Sequence, residues 1–309
     1  MITVRQALKK AVEILKSSET QTPVLDAGVI LCNVINKDML FIHTSQNALL
    51  EQSQETEYFR QIYKRRQGMP VQYITGKQEF MSLEFCVAPG VLIPRPDTET
   101  LVQYLIDYVN DDCIKHDKQP AVLEIGTGSG CIAVSIAYYL KKVKVYASDI
   151  SGEAIKIARI NAERHGVPDR ITFIKSDVME GITQYFGNKA ALIDIIVSNP
   201  PYIASEEVEN LPACVRDYEP HSALSGGRDG LCFYKKIIEE APLVLNNGGL
   251  VAVEVGKGQS QDVAQIMKES GNYRNIIFKK DLSGIERVVA ARINHSKDAS
   301  APHSEDSLL

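Results

Sequence analysis

The sequence predicts an α/β protein in which a Rossmann-like, doubly wound parallel sheet follows a small N-terminal helical bundle. Three observations predict it. From residue 120 onward short apolar runs alternate with helical patterns, the rhythm of parallel strands joined by crossover helices. Residues 1–75 show helical periodicity alone. The length of 309 residues, 44% of them hydrophobic and 24% charged, suits two domains with a buried core and no staples.

The bundle is read first. Thr3 and Gln6 make a capping-box pattern, and Val4, Ala7, Leu8, Ala11, Val12 and Leu15 then fall on one helical face. Thr22-Pro23 starts a second helix over Val24–Ile35, with proline in the first turn. Tyr58, Phe59, Ile62 and Tyr63 stripe a third, which ends at Gly68 before Pro70. Phe80, Leu83, Phe85 and Val87, set among turn residues, read as short strands, and Pro89-Gly90 as a turn. Pro96 then opens a helix carrying Leu101, Val102, Leu105, Ile106 and Val109, and residues 110–119 read as a polar loop.

The alternating region assigns strands to Ala121–Ile125, Val143–Ser148, Ile171–Lys175, Leu192–Ser198 and Gly249–Val255, with two late strands at Arg274–Phe278 and Arg287–Arg292. Helices are assigned to Cys131–Leu140, Gly152–His165, Leu231–Leu245 and Gln259–Ser270. The expected organisation is a helical docking or lid domain at 1–75, short strands at 76–95, the sheet domain at 96–295 and a disordered polar tail at 296–309.

Charge and composition exclude some functions. A net charge of −5 supplies no basic surface for gripping long DNA or RNA. No apolar run approaches the ~20 residues that span a bilayer. The opening Met1-Ile-Thr-Val-Arg-Gln6 reads as an amphipathic helix rather than an export signal. The expectation is a soluble, cytoplasmic protein with neither membrane nor direct nucleic-acid partners. Cys32, Cys86, Cys113, Cys131, Cys214 and Cys232 form no C-x-x-C pair and have no histidine at zinc spacing, so they are read as free thiols, and no metal site is expected.

Ligands of open α/β sheets gather at the carboxyl ends of the strands, and three such ends carry informative residues. Gly126-Thr127-Gly128-Ser129-Gly130 follows a strand and opens a helix, and its glycines admit close approach of a ligand to the backbone. Cys131 stands where the dinucleotide pattern needs glycine, which favours a cofactor without pyrophosphate. Asp149, at the end of the next strand, can accept both hydroxyls of a ribose. Asp177 is either an acceptor for an adenine amino group, with Val178 packing on the ring, or a turn residue. Asn199-Pro200-Pro201-Tyr202 closes the fourth strand. The Asn199 side chain and the Pro200 carbonyl offer two acceptors for a planar NH₂ group, and Tyr202 offers a flat wall. This constellation needs no metal and no protein nucleophile. It needs an electrophilic donor in line with an NH₂ nitrogen, and S-adenosylmethionine, with its sulfonium methyl, is the donor expected.

Over residues 1 to 293 the chain resembles the release factor glutamine methyltransferases of the HemK/PrmC type. The resemblance rests on Pro70-Val-Gln-Tyr-Ile-Thr-Gly76, Pro89-Gly-Val-Leu-Ile-Pro-Arg-Pro96, Leu123-Glu-Ile-Gly-Thr-Gly-Ser-Gly130, Asn199-Pro-Pro-Tyr202, Tyr218-Glu-Pro-His-Ser-Ala-Leu-Ser-Gly-Gly-Arg-Asp-Gly230 and Asp281-Leu-Ser-Gly-Ile-Glu-Arg287, in that order. It implies a class I S-adenosylmethionine-dependent methyltransferase that methylates N5 of the glutamine in the Gly-Gly-Gln motif of class I peptide chain release factors. It also implies that the helical domain helps hold the protein substrate, and that a β-hairpin linker at 76–95 joins it to the catalytic domain. Carried over, Gly126–Gly130, Asp149, Val178 and Asn199 contact the cofactor, and Asn199–Tyr202 grip the glutamine. Asp97 stands where the family often has Glu, and Ser82 where it often has Gly.

Arg95 and Glu99 either line the cleft and bind substrate or cap the following helix. Gly226–Gly230 either brings backbone close to the substrate or is a plain loop before a helix. His221 reads as a structural histidine, with support of the site as the alternative. Two other activities share the acceptor chemistry: glutamine methylation of a ribosomal protein, and N6-methylation of adenine in nucleic acid.

Overall fold

A computed structural model describes residues 1–113, 119–187 and 193–294. The chain begins with α1 (Val4–Lys16), α2 (Pro23–Ile35), α3 (Met39–Thr44), α4 (Gln52–Arg66) and α5 (Val71–Thr75). The capping box forms as expected: the Thr3 side chain accepts from the Gln6 N–H while the Gln6 side chain accepts from the Thr3 N–H. Val4, Ala7, Ala11 and Leu15 are buried against Ile30, Leu31, Tyr58 and Ile62 in a core belonging to the bundle. Tyr63 departs from the expected stripe: it is 49% exposed, because its neighbours Tyr58 and Ile62 already fill the inward face of α4.

The hairpin β1 (Lys77–Phe80) and β2 (Leu83–Cys86) is antiparallel, and its two-residue turn holds Met81 and Ser82 at φ 50° and 56°. Both turn residues thus take the left-handed conformation that suits the strand twist and favours glycine, so Ser82 is a tolerated substitute at a glycine-like position. A short 3₁₀ turn (Pro96–Thr98) leads into α6 (Glu99–Tyr108), which continues as a π-turn through Val109–Cys113 where a loop was expected. Residues 114–118 of that loop, and the tail at 296–309, lie outside the described residues.

The sheet domain continues with β3 (Ala121–Ile125), α7 (Cys131–Tyr139), β4 (Lys144–Asp149), α8 (Gly152–Arg164), β5 (Ile171–Lys175), α9 (Glu180–Phe186) and β6 (Ile193–Ser198). It closes with α10 (Ala213–Arg216), α11 (Cys232–Glu240), β7 (Leu245–Glu254), α12 (Ser260–Glu269), β8 (Tyr273–Lys280) and β9 (Glu286–Ile293). The strand order is β5-β4-β3-β6-β7-β9-β8. The mixed α/β expectation holds, with one refinement. Five strands are parallel, but β9 runs antiparallel to β7 and to β8. The connection from β8 to β9 is too short for a crossover and can only return as a hairpin.

Two further boundaries moved: β7 begins at Leu245 rather than Gly249, and one helix is shorter than expected. The helix expected through Leu245 stops at Glu240, and Pro242 sits in a 3₁₀ turn where it has no N–H to donate. α9 and the short α3, α5 and α10 were not assigned from sequence. Side chains alternate across the sheet: Val122, Val197, Leu250 and Ala252 join the core under α6 and α7, while Leu123, Ile196, Val251 and Val253 join the core under α9, α11 and α12. Among the described residues no helix is long and apolar enough to cross a membrane, and no group of three or more His, Cys, Asp or Glu stands together to hold a metal ion. Cys32, Cys86, Cys131, Cys214 and Cys232 are free thiols.

One side chain ties the linker to the sheet. Asn161, fully buried on α8, donates to the carbonyls of Cys86 (2.9 Å) and Ser129 (2.8 Å) and accepts from the Cys86 N–H (2.7 Å). Asn161→Leu strands all three backbone groups. Equilibrium unfolding in urea should show a loss of about 3 kcal/mol, since an unsatisfied buried group costs roughly 1–3 kcal/mol. An unchanged midpoint would mean that the linker does not depend on this residue.

Candidate functional site

The strand order reverses between β3 and β6, so the carboxyl ends of these two strands flank a crevice. Parallel register sets Ile125 beside both Ser148 and Ser198, and Ser198 beside Val253. The residues that follow these positions therefore emerge along one edge. The cavity there has a volume of ≈ 390 Å³ and is lined by Gly126, Gly128, Asp149, Asp177, Val178, Asn199, Pro200 and Pro201 among others. Two other grooves are larger, at ≈ 820 and ≈ 1010 Å³. The convergence of polar groups at a topological switch point, rather than size, marks the candidate site.

The glycine turn is built as its sequence demands. Gly126, Gly128 and Gly130 all have positive φ, at 77°, 54° and 81°. A Cβ on Gly126 or Gly128 would meet nothing within 4 Å, whereas one on Gly130 would lie 2.9 Å from the Ala158 Cβ. The first two glycines therefore leave the backbone open for a ligand, and the third lets α7 approach α8. The Asp149 carboxylate accepts from the N–H of Gly128 and of Ser151, each at 2.8 Å, which fixes its position at the cavity wall. Burial raises its pKa, and these backbone donors oppose the rise.

Val178 carries a signal that sequence reading could not supply. It is a β-branched residue at φ 48°, 7% exposed, on the cavity wall. Such a conformation is costly for valine and persists only where its surroundings enforce it, as they do at binding sites. Asp177 beside it is paired with Lys236 (3.4 Å) on the exposed rim.

The remaining expected residues distribute as follows. Thr127 and Ser129 are buried beneath the turn and line a small recess of ≈ 40 Å³ with Glu124, Thr98 and Asn199. Tyr202 is not part of the cavity lining; its ring lies near Gly256 and packs on the sheet core, and its carbonyl accepts from Gln259 Nε2 at 2.9 Å. Burial pushes its phenol up to about 12. The expected flat wall is supplied by Phe233 and the Pro220–Ala223 segment, to which His221 belongs. Arg95 donates to the buried Glu219 (2.6 Å) and faces the ≈ 820 Å³ groove between bundle and sheet domain. Glu99 is set apart from the cavity: its carboxylate accepts from the Met81 N–H (2.7 Å) and so pins the hairpin turn.

Gly226 and Gly230 have a positional role. A Cβ on Gly226 would lie 2.7 Å from the Pro201 carbonyl oxygen, and one on Gly230 2.4 Å from that of Tyr202. Only glycine lets this segment press against the Asn-Pro-Pro-Tyr loop. Sequence reasoning missed Ile150, Ser176 and Phe233 as lining residues, and it missed two buried acids. Glu124 (1% exposed) accepts from the Thr127 hydroxyl (2.6 Å) and the Ala133 N–H (3.1 Å). Burial pushes Glu124 up to about 8 and Glu254 up to about 7.

Comparison with known proteins places these observations in context. Residues 6–76 match the PrmC N-terminal domain, and residues 116–299 match a methyltransferase domain. The chain is 39% identical over 288 residues to the release factor glutamine methyltransferase of Clostridium acetobutylicum, covering 93% of this chain and 98% of that protein. It is 38% identical over 293 residues to that of Moorella thermoacetica, covering 94% and 98%. Among solved structures, the hMettl16 catalytic domain in complex with MAT2A 3′UTR hairpin 6 aligns at a TM-score of 0.52 and 17% identity over 82% of this chain and 85% of that one, which shows a shared fold alone.

The buried acids make stability depend on pH. In the folded chain Glu124 and Glu254 keep their protons through a range where the unfolded chain, near the ordinary 4.5, has lost them. Unfolding there releases protons, so stability falls as pH rises from about 5 to about 8, by up to ~1.4 kcal/mol per pH unit for each group. Glu124→Gln fixes the neutral form. Denaturation midpoints measured from pH 5 to 9 should fall less steeply in this variant than in the wild type; parallel curves would refute the assignment.

Proposed function

The chain belongs to the release factor glutamine methyltransferase family, and on that premise we propose that it methylates N5 of the glutamine in the Gly-Gly-Gln motif of class I peptide chain release factors, in the cytoplasm, using S-adenosylmethionine. The observation that carries this reading is the convergence of the glycine turn, Asp149 and Asn199-Pro200-Pro201 on one cavity.

The residues present fit the proposed donor. Gly126 and Gly128 leave open space over their backbone, Asp149 presents a fixed carboxylate at the position suited to ribose hydroxyls, and Ile150 and Val178 offer apolar walls for a base. When bound, S-adenosylmethionine supplies a methyl group activated by its sulfonium. The protein's task is to hold the acceptor. A carboxamide nitrogen is a weak nucleophile because its lone pair is delocalised into the carbonyl. The Asn199 side-chain oxygen and the Pro200 carbonyl accept its two N–H groups, fixing its plane and drawing electron density toward nitrogen. Pro200 and Pro201 carry no N–H, so neither supplies a backbone donor to that oxygen-lined grip. Tyr202 serves as an anchor, its carbonyl held by Gln259, so the loop is fixed before substrate arrives. Arg95, held by Glu219, faces the groove beside the helical domain, where the body of the protein substrate would dock.

Incubation with labelled donor and purified release factor, ribosomal proteins or DNA tests the reading. Label should appear on release factor, on one glutamine by mass spectrometry, and vanish when that glutamine is replaced. Asn199→Ala should lower turnover by roughly 10²–10³, the range for loss of one oriented polar group, while donor affinity measured by calorimetry stays within threefold. Asp149→Ala should weaken donor binding by roughly 10–100-fold, as loss of charged hydrogen bonds does.

A further inference from the structure

We infer that Ser176 is a positioning residue: its hydroxyl holds Val178 in a left-handed backbone conformation, and so fixes the apolar wall on which the base of the donor lies. The inference rests on the donor proposed above and concerns a residue which that reading leaves without a role.

Val178 takes φ 48°, is 7% exposed and lines the cavity. Glycine would adopt this conformation freely, whereas a β-branched residue is crowded in it. Glycine would also put no side chain on the wall. Valine here keeps an apolar surface beside the cavity at a conformational cost, and such a conformation persists only where neighbouring groups enforce it.

Ser176 supplies the enforcement. It is 6% exposed, and its hydroxyl donates to the Val178 carbonyl at 2.9 Å while accepting from the Gly181 N–H at 2.9 Å. One side chain therefore grips the strained residue and the first turn of α9 together. The turn is tight. A Cβ on Gly181 would lie 2.4 Å from the Lys175 carbonyl oxygen and 3.1 Å from the Ser176 Cβ. The Glu180 N–H donates to the Asp177 carbonyl at 3.1 Å, and Met179 and Ile182 are buried in the core beneath. Asp177 pairs with Lys236 on the rim, so its carboxylate is engaged away from the turn.

Ser176 is also tied to the other half of the nucleoside site. Its N–H donates to the Asp149 carbonyl at 3.0 Å. Asp149 is the residue whose carboxylate is fixed by the N–H groups of Gly128 and Ser151. Ser176 thus connects the acceptor suited to ribose hydroxyls with the residue that walls the base, and sets the spacing between them before any ligand arrives.

The test uses the full-length protein with Ser176→Ala, Val178→Ala and the double variant. By calorimetry, Ser176→Ala should weaken donor binding roughly tenfold, the size expected when an apolar side chain of this kind leaves a ligand's surface. The loss should fall on the donor dissociation constant and the donor KM rather than on kcat or the KM for release factor. The double variant should bind donor about as well as the weaker single variant, because residues acting through one another are not additive. Effects that multiply would mean that Ser176 acts by some route other than Val178, and would overturn the inference. A readout independent of activity and of donor is the intraresidue HN–Hα cross-relaxation of Val178, observed by NMR after ¹⁵N-valine labelling. It is strong at positive φ, and should be strong in wild type and weak in Ser176→Ala. An unchanged signal, or unchanged donor affinity in Ser176→Ala, would overturn the inference. If wild type binds donor and shows this dependence but labels no release factor, the substrate assignment fails and the inference stands. If wild type labels release factor while Ser176→Ala binds donor equally well, the inference alone fails. A wild-type protein that binds no donor would overturn both.

Discussion

Ile125, Ser148, Ser198 and Val253 lie side by side across four parallel strands, and this register decides where the chemistry can be. Parallel strands end at the same level only when their ladders are in step, and a slip of one residue would turn each terminal side chain to the opposite face. With the ladders in step, the glycine turn after β3, the carboxylate ending β4 and the asparagine after β6 share one edge. The reversal of strand order between β3 and β6 then opens a crevice between their connections. No loop has to reach for the site, because the sheet delivers its parts.

The same register buries acids. Glu124 near the end of β3 and Glu254 at the end of β7, the two neighbours of β6, lie on the face covered by α6 and α7, where solvation is lost and the neutral form is favoured. A purely apolar core would avoid this cost. Glu124 is retained where it can hold others: its carboxylate accepts from the Thr127 hydroxyl and the Ala133 N–H, and so shapes the turn from below. Buried polar groups that are well partnered restrict alternative arrangements. Here the contacts of Glu124 restrict the glycine turn.

Segments far apart in sequence meet around that edge. Arg95 and Ile93 of the linker both donate to Glu219, and Asp97 reaches Arg287 of the late hairpin. The Tyr218 hydroxyl donates to the Gln67 carbonyl at the end of α4, and the Tyr73 hydroxyl to the Val91 carbonyl, so the bundle is coupled to the linker and to the loop before α11. Gly226 and Gly230 press that loop against Pro201 and Tyr202. The motifs that run in order along the chain thereby meet as contacts of one assembly.

Sequence by itself determined what local physics determines. Periodicity located four of the five parallel strands to within a residue, β7 starting four residues earlier than expected, the glycines announced a left-handed turn, and Asn199-Pro200-Pro201 announced a loop poor in backbone donors, because each depends on backbone conformation or side-chain chemistry close by. Tertiary structure decided what depends on neighbours. It made β9 antiparallel, put Val178 at positive φ, moved Tyr202 out of the cavity and Glu99 onto the hairpin, and placed Thr98 against Asn199. None of these is visible in a linear pattern, since each is set by which strand or helix lies alongside, and long-range pairing alone chooses that.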